Sequence, residues 1–293
     1  MSDYEQRLNI YFDLRNTPDS SRESYSRRIT AFIKFTQEQG VDIEDIDMYD
    51  IQQYILHLKN ERGLEPGTIN CYNSSIKLFY VNILRQEWDK TIVPRMKTET
   101  SIPSILTKQE VQKVLDSVAN LKHKAILSMI YGSGLRVGEV VRLRIKHIIS
   151  DNMTVRVEKA KHGTNRYTVL SKTALETLRQ YYKAYLSGTK QAPEDWLFKG
   201  RAHGSHISVK TVKNTFIQAR KRLQLDTSFS AHTFRHCFAT HLLEEGVDLA
   251  IIMQLMGHRN ISSTSIYLHM TSKSLMGIRS PLDILDVQDG DPV

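Results

Sequence analysis

The sequence predicts a mostly helical chain of the α+β class, in which a small helical N-terminal unit is joined to a larger helical unit carrying one small β-hairpin. Three observations predict it. Apolar residues recur at helical spacing through most of the chain, a polar stretch bounded by prolines interrupts them near residue 100, and only one segment alternates with the period of a strand.

In "SYSRRITAFIKFTQEQG" the spacing of Ile29, Phe32 and Ile33, with Phe35 nearby, predicts an amphipathic helix stopped by Gly40. Asp50 then precedes "IQQYILHLKNERG", a second helix ending at Gly63, and after the turn "LEPG" a third is expected from about Thr68 to Trp88. The segment "VPRMKTETSIPS", with prolines 94 and 103, has the composition of a linker. Straight after it, "TKQE" offers a capping box between Thr107 and Glu110, so a new helix starts there. These signals place an N-terminal domain at 1–97, a linker at 98–106 and a second domain at 107–293.

In the second part, "MTVRVEKAKHGTNRYTVL" alternates Met153, Val155 and Val157 with Thr154, Arg156 and Glu158, and a second strand follows the turn "KHGTN". The surrounding "KAILSMIYGSG", "TALETLRQYYKAYL" and "VKTVKNTFIQARKRL" read as helices.

The bulk numbers narrow the function. The 293 residues are 40% hydrophobic, enough for a proper core. Two cysteines, Cys71 and Cys237, form no CxxC pattern; they suit a reducing cytoplasm and are expected to be small buried residues. No run approaches the roughly 18 apolar residues of a membrane span, and "MSDYEQRLNI" lacks the order of a signal peptide. The net charge of +8 points to a polyanionic partner, and its distribution is uneven. Residues 1–100 carry 13 Lys+Arg against 16 Asp+Glu, and the remainder 27 against 16.

The densest chemistry lies in "AHTFRHCFATH", residues 231–241. On a helix at 100° per residue, His232, Arg235 and His236 fall on one side with Ala239. Phe234, Cys237, Phe238, His241 and Leu242 take the other. Three histidines so divided cannot share one metal, and no HExxH or Cys/His spacing supports a site built on His232 and His236. His241 reads as a hydrogen-bonded core histidine. What remains is an exposed HxxR face suited to a phosphate, because a guanidinium donates two parallel hydrogen bonds and an imidazole donates or accepts a proton.

Other motifs keep it company. "YGSGLRVGEVVRL" puts Arg136 just past a glycine-rich turn with Glu139 one turn on. The hairpin turn carries Lys161, and "LMGHRNISSTSIYLH" ends an apolar helix at Gly257, then adds His258 and Tyr267. GLRxxE, a lysine in a β-hairpin turn, HTFRHCFATHLLEEG and GHxxIxxTxxY, in this order over roughly 107–270, resemble the tyrosine recombinases, or phage-integrase family. The compact two-domain Xer-like and transposon-borne members are most similar.

The resemblance implies a tyrosine recombinase fold with a SAM-like core-binding domain before the catalytic domain. It implies a site-specific recombinase that cleaves and rejoins DNA through a 3′-phosphotyrosine and a Holliday junction, for integration or excision of a mobile element or for resolution of dimers. Tyr267 would be the nucleophile. Arg136 and Arg235 would hold the phosphate, and His232 and His258 would bond the phosphate or manage the nucleophile's proton. Lys161 would be the general acid, and Glu139 would support an arginine or histidine.

Implied partners are double-stranded DNA with inverted-repeat core sites, a homotetramer on two such sites with the C-terminal tail docked between protomers, and in some systems an accessory protein. No metal, nucleotide cofactor or membrane is required, and the expected location is the cytoplasm, on the nucleoid when bound. Arg27, Arg28, Arg220, Lys221 and Arg222 are expected to touch phosphates, with affinity falling steeply with salt. The sequence departs from the family pattern in two places: the usual Gly-Lys-Gly turn reads Ala160-Lys161-His162-Gly163, which leaves Lys159 as a weaker general-acid candidate, and Ala231 stands where a proline often precedes the histidine. Two rival readings are a type IB topoisomerase-like nicking-closing enzyme and a non-catalytic helix-turn-helix protein offering "DLAIIMQLM" to a groove, where only Gln254 could read a base edge.

Overall fold

The structure is a computed structural model that describes residues 3–98, 104–158 and 165–258. The chain divides into two compact units, Met1–Thr100 and Ser101–Val293.

In the first unit, α1 (Asp3–Leu14), α2 (Asp19–Glu38), α3 (Met48–Asn60) and α4 (Pro66–Asn82) enclose a core of Phe12, Phe32, Ile51, Tyr54, Leu58, Ile69, Ile76 and Phe79. Gly40 and Gly63 take left-handed φ of 78° and 56° just beyond α2 and α3, a conformation that costs glycine less than a residue with a Cβ. Two sequence expectations are corrected, and one helix has no counterpart among them. The helix α1, which buries Leu8 and Phe12, was not foreseen, because one narrow apolar stripe in a mostly polar dodecamer gives little periodic signal. Asp50 is not the cap of α3: Asp47 accepts from the Asp50 amide at 3.0 Å, and Asp50 returns the bond to the Asp47 amide at 2.9 Å. Helix α4 starts at Pro66, a residue suited to a first turn, and stops at Asn82, short of Trp88. Beyond it, residues 93–96 are held to α4 by Asn70, which donates to the Met96 carbonyl and accepts from its amide, both at 2.9 Å.

The second unit is built around α6 (Leu121–Ser133), which is buried on nearly every side through Ala125–Ile130. Around it lie α5 (Lys108–Asp116), α8 (Lys172–Tyr185), α9 (Val209–Arg222) and α10 (Ala231–Glu244). Thr107 and Glu110 form the expected capping box at the start of α5. The hairpin strands β2 (Thr154–Val157) and β3 (Arg166–Val169) are joined by a short β1 (Ile148–Ile149) in an antiparallel sheet of order β1-β2-β3. Val155 and Val157 face the core as their alternation requires.

Two short elements complete the frame, α7 (Val137–Val140) after α6 and α11 (Leu249–Met256) after α10. Cys237 is buried against Leu106, whose amide donates to its Sγ at 3.3 Å, but Cys71 is exposed, contrary to expectation, because α4 turns that position outward. Among the described residues no helix is long and apolar enough to cross a membrane.

Candidate active site

Three separate segments of the chain converge on one carboxylate. Helix α6 terminates at Gly134 in the left-handed region, φ 61°, and the chain reverses so that Arg136 becomes the N-cap of α7. Glu139 lies one turn later and reaches back to the Arg136 amide at 2.8 Å and to its Nη1 at 2.8 Å. From the sheet, Arg166 closes its guanidinium fork on the same carboxylate at 2.9 and 2.8 Å. From α10, Arg235 approaches to 3.8 Å.

Glu139 and Arg235 are buried almost completely, with side chains 4% and 1% exposed. Burial alone would raise the Glu139 pKa, yet the Arg166 hydrogen bonds and charge, then the Arg136 amide and the Arg235 charge, bring it down to about 2. The glutamate is therefore ionised, and three guanidiniums surround its single negative charge. The cluster keeps an excess of two positive charges, an electrostatic receptor for an anion.

The HxxR face of α10 is not exposed as a whole, which corrects the helical-wheel reading. His232 stands at the rim and His236 is half-buried, their rings 4.7 Å apart and edge to face. Arg235 is sunk beneath them. Its Nη1 donates to the Gly134 carbonyl and its Nη2 to the Met256 carbonyl at 2.5 Å. These are orphan acceptors at the C-terminal ends of α6 and α11, so a buried cation and two unused carbonyls satisfy one another.

Gly257, φ 65°, ends α11 and delivers His258, whose Nε2 lies 3.1 Å from Arg235 Nη2. Arginine can only donate, so that imidazole nitrogen is the acceptor. Burial, then Arg235 and Arg136, push the His258 pKa down to about 4. His232 is lowered by partial burial and by the same two arginines. Both imidazoles are therefore neutral at neutral pH. His241 is the core histidine expected, buried with its Nδ1 2.9 Å from the Tyr131 hydroxyl.

The structure thus brings together Arg136, Glu139, His232, Arg235 and His258. Lys161, Lys159 and Tyr267 lie outside the described residues, as does the C-terminal tail. Among the described residues no group of three His, Cys, Asp or Glu side chains could hold a metal ion.

Of the outlying basic residues, Arg27, Lys221 and Arg222 are exposed. Arg28 lies over the Tyr72 ring at 5.8 Å, Arg220 donates to the Phe229 carbonyl at 2.8 Å, and Arg222 bonds the Ser117 carbonyl. In α11, Ile252 and Met256 are buried while Ile251 and Gln254 are exposed.

Sequence reasoning missed Arg166. The strand's own alternation misleads, because Tyr167 and Val169 are its apolar residues; only the register, which pairs Val157 with Arg166 and Val155 with Thr168, places the arginine on the core side of β3, where a charge must have a partner.

A helical domain with a buried arginine–carboxylate cluster opening to two neutral histidines has the charge to attract an anion. The comparisons with known proteins give the family. Residues 104–274 match the phage integrase family, and residues 6–90 match the phage integrase N-terminal SAM-like domain. Tyrosine recombinase XerA of Pyrococcus horikoshii is 38% identical over 277 residues, covering 94% of this chain and 91% of that protein. Tyrosine recombinase XerC of Anoxybacillus flavithermus is 28% identical over 285 residues, covering 92% and 94%.

The fold is shared with solved structures. XerH bound to its difH substrate before cleavage superposes with a TM-score of 0.70 at 20% identity, covering 92% of this chain and 82% of that one. The Tn1549 transposon integrase with transposon right-end DNA gives 0.68 at 19% identity, covering 90% and 94%. The chain belongs to the phage integrase family and is a tyrosine recombinase, an enzyme of site-specific recombination that cleaves and rejoins DNA.

Proposed function

We propose that the Arg136–Glu139–Arg235 cluster with His232 and His258 receives the scissile phosphate, and that Tyr267 attacks it. The observation that carries this reading is the convergence of two arginines and two neutral imidazoles beside one saturated carboxylate. The Tyr267 oxygen forms a bond to phosphorus as the bond to the 5′ oxygen breaks, and the phenol's proton leaves towards a neutral histidine. The departing 5′ oxygen takes a proton from Lys161. Charge gathering on the two non-bridging oxygens is met by Arg136 and Arg235, which cannot lose their protons. The freed 5′ hydroxyl of a partner duplex then attacks the 3′-phosphotyrosine and restores both the backbone and the tyrosine. Two such rounds pass through a Holliday junction.

In this reading residues 1–97 are the core-binding domain, 98–106 the linker and 107–293 the catalytic domain. The enzyme works in the cytoplasm as a homotetramer on two inverted-repeat sites, with its tail docked on a neighbour. The relatives solved with DNA, XerH on difH and the Tn1549 integrase on transposon ends, support a duplex partner. Arg27, Arg28, Lys221 and Arg222 add phosphate contacts. Arg220, held by its own loop, shapes that surface.

The test is a nicked duplex carrying inverted repeats from the DNA flanking the gene, from which the freed end diffuses after cleavage. A denaturant-resistant adduct with wild type and none with Tyr267→Phe is expected. An adduct of equal yield in both would remove Tyr267 as nucleophile. Strand exchange between two duplexes, against religation of one, separates a recombinase from a topoisomerase-like enzyme.

A further inference from the structure

We propose that Arg166 is a positioning residue of the cleavage centre, which occupies Glu139 and so keeps Arg235 from being drawn onto that carboxylate. The inference rests on the reading above that Arg235 binds the scissile phosphate.

Arg166 begins β3 with a side chain 9% exposed, and its three guanidinium nitrogens have separate tasks. Nη1 and Nη2 take both Glu139 oxygens at 2.9 and 2.8 Å, and Nε donates to the Leu255 carbonyl at 2.9 Å. Leu255 lies in the last turn of α11, where carbonyls lack helical partners. One planar side chain thereby ties the sheet to α7 and to the end of α11 that delivers His258. A lysine, with a single ammonium, could not span that set.

The carboxylate has about four lone-pair positions. Arg166 takes two, and the Arg136 amide and Nη1 take two more, so Glu139 is saturated. Arg235 Nη1 stands at 3.8 Å from Oε2, attracted by the charge but outside hydrogen-bond distance. Removing Arg166 would free one lone-pair position on each oxygen, the other staying with Arg136, while a buried negative charge remains beside Arg235. Arg136 is already bonded there, so Arg235, the next cation at 3.8 Å, would then be drawn onto Glu139 and away from an incoming phosphate.

Gly257 belongs to the same arrangement. A Cβ there would lie 2.8 Å from Arg166 Cδ and 3.1 Å from its Nε, so the left-handed cap that positions His258 is packed directly on the arginine. In sequence Arg166 also stands five residues after Lys161.

The experiment measures single-turnover adduct formation on the nicked duplex, together with duplex affinity and thermal unfolding, for full-length wild type, Arg166→Met, Arg166→Lys and the double variant Arg166→Met/Glu139→Gln. Arg166→Met is expected to cleave at least about 30-fold more slowly while binding duplex within about threefold of wild type. The double variant should regain about tenfold or more over Arg166→Met, because a neutral amide no longer captures Arg235. A purely structural role predicts instead a double variant no faster than the single one, and that result overturns the proposal. So does Arg166→Met cleaving within threefold of wild type.

If Arg166→Met does not fold, Arg166→Lys decides: a loss of about tenfold supports the fork, and wild-type rate refutes it. Failure of the underlying reading is distinct, since wild type itself would then give no adduct, or Tyr267→Phe would give one.

Discussion

Arg235 of α10 donates a hydrogen bond to the carbonyl of Gly134, the residue that ends α6 in the left-handed conformation. A cation is thus held by a helix terminus together with the Glu139 charge 3.8 Å away, and the same glycine starts the turn that presents Arg136. Substituting Arg235 by Lys should keep the charge but lose one of the two carbonyl contacts, to Gly134 or to Met256. Adduct formation is expected to fall by about 10²-fold or more, with duplex affinity reduced only severalfold. Filter binding and adduct yield on the same nicked duplex check both halves, and an undiminished rate would contradict the assignment.

Gly134 is itself constrained. Its φ of 61° disfavours any side chain, and a Cβ would lie 2.4 Å from Cδ1 of the buried Phe238. Gly134→Ala should cost about 2–4 kcal/mol, combining left-handed strain with overpacking, as read by urea unfolding. Gly188→Ala, where a Cβ meets nothing within 4 Å, is the control and should change stability little.

Glu139 compensates three guanidiniums. Glu139→Ala should destabilise the second unit by about 3–5 kcal/mol, since it leaves buried cations without their counter-charge. Chemical denaturation would detect it, and a loss below about 1 kcal/mol would mean that solvent reaches the cluster.

Acid should weaken the fold before it protonates that carboxylate. His236 and His258 are pushed from 6.5 down to about 4, in both cases first by burial, and His232 and His241 are lowered as well. Between those values the unfolded chain binds protons that the folded chain refuses, so stability falls as pH drops from about 6.5 towards 4. The Glu139 contribution, with its pKa lowered from 4.5 to about 2, is present above about 4.5 and is lost only below that. Melting temperatures recorded from pH 7.5 to 4.5 should decline through this window, and a flat profile down to pH 5 would contradict the burial of these imidazoles.

The two cysteines should behave differently. Exposed Cys71 should react rapidly with a chromophoric disulfide, while Cys237, buried and with its thiol pushed up to about 11, should wait for unfolding. Two equally fast thiols in native protein would contradict the packing of Cys237 against Leu106.

Local physics made much of this chain legible from its sequence. The period of Ile29, Phe32 and Ile33, the Thr107–Glu110 box, the alternation of Val155 and Val157, and Gly257 after an apolar run depend only on neighbours a few residues away, and each has its structural counterpart. The ordered motifs containing Arg136, Glu139, Arg235 and His258 likewise announced the family. Tertiary structure alone decided that Arg235 is buried, because only the meeting of the ends of α6 and α11 supplies the carbonyls that let a guanidinium leave water. It also decided the place of Arg166, whose partners lie 27 and 89 residues away, at separations that no helical or strand period reaches.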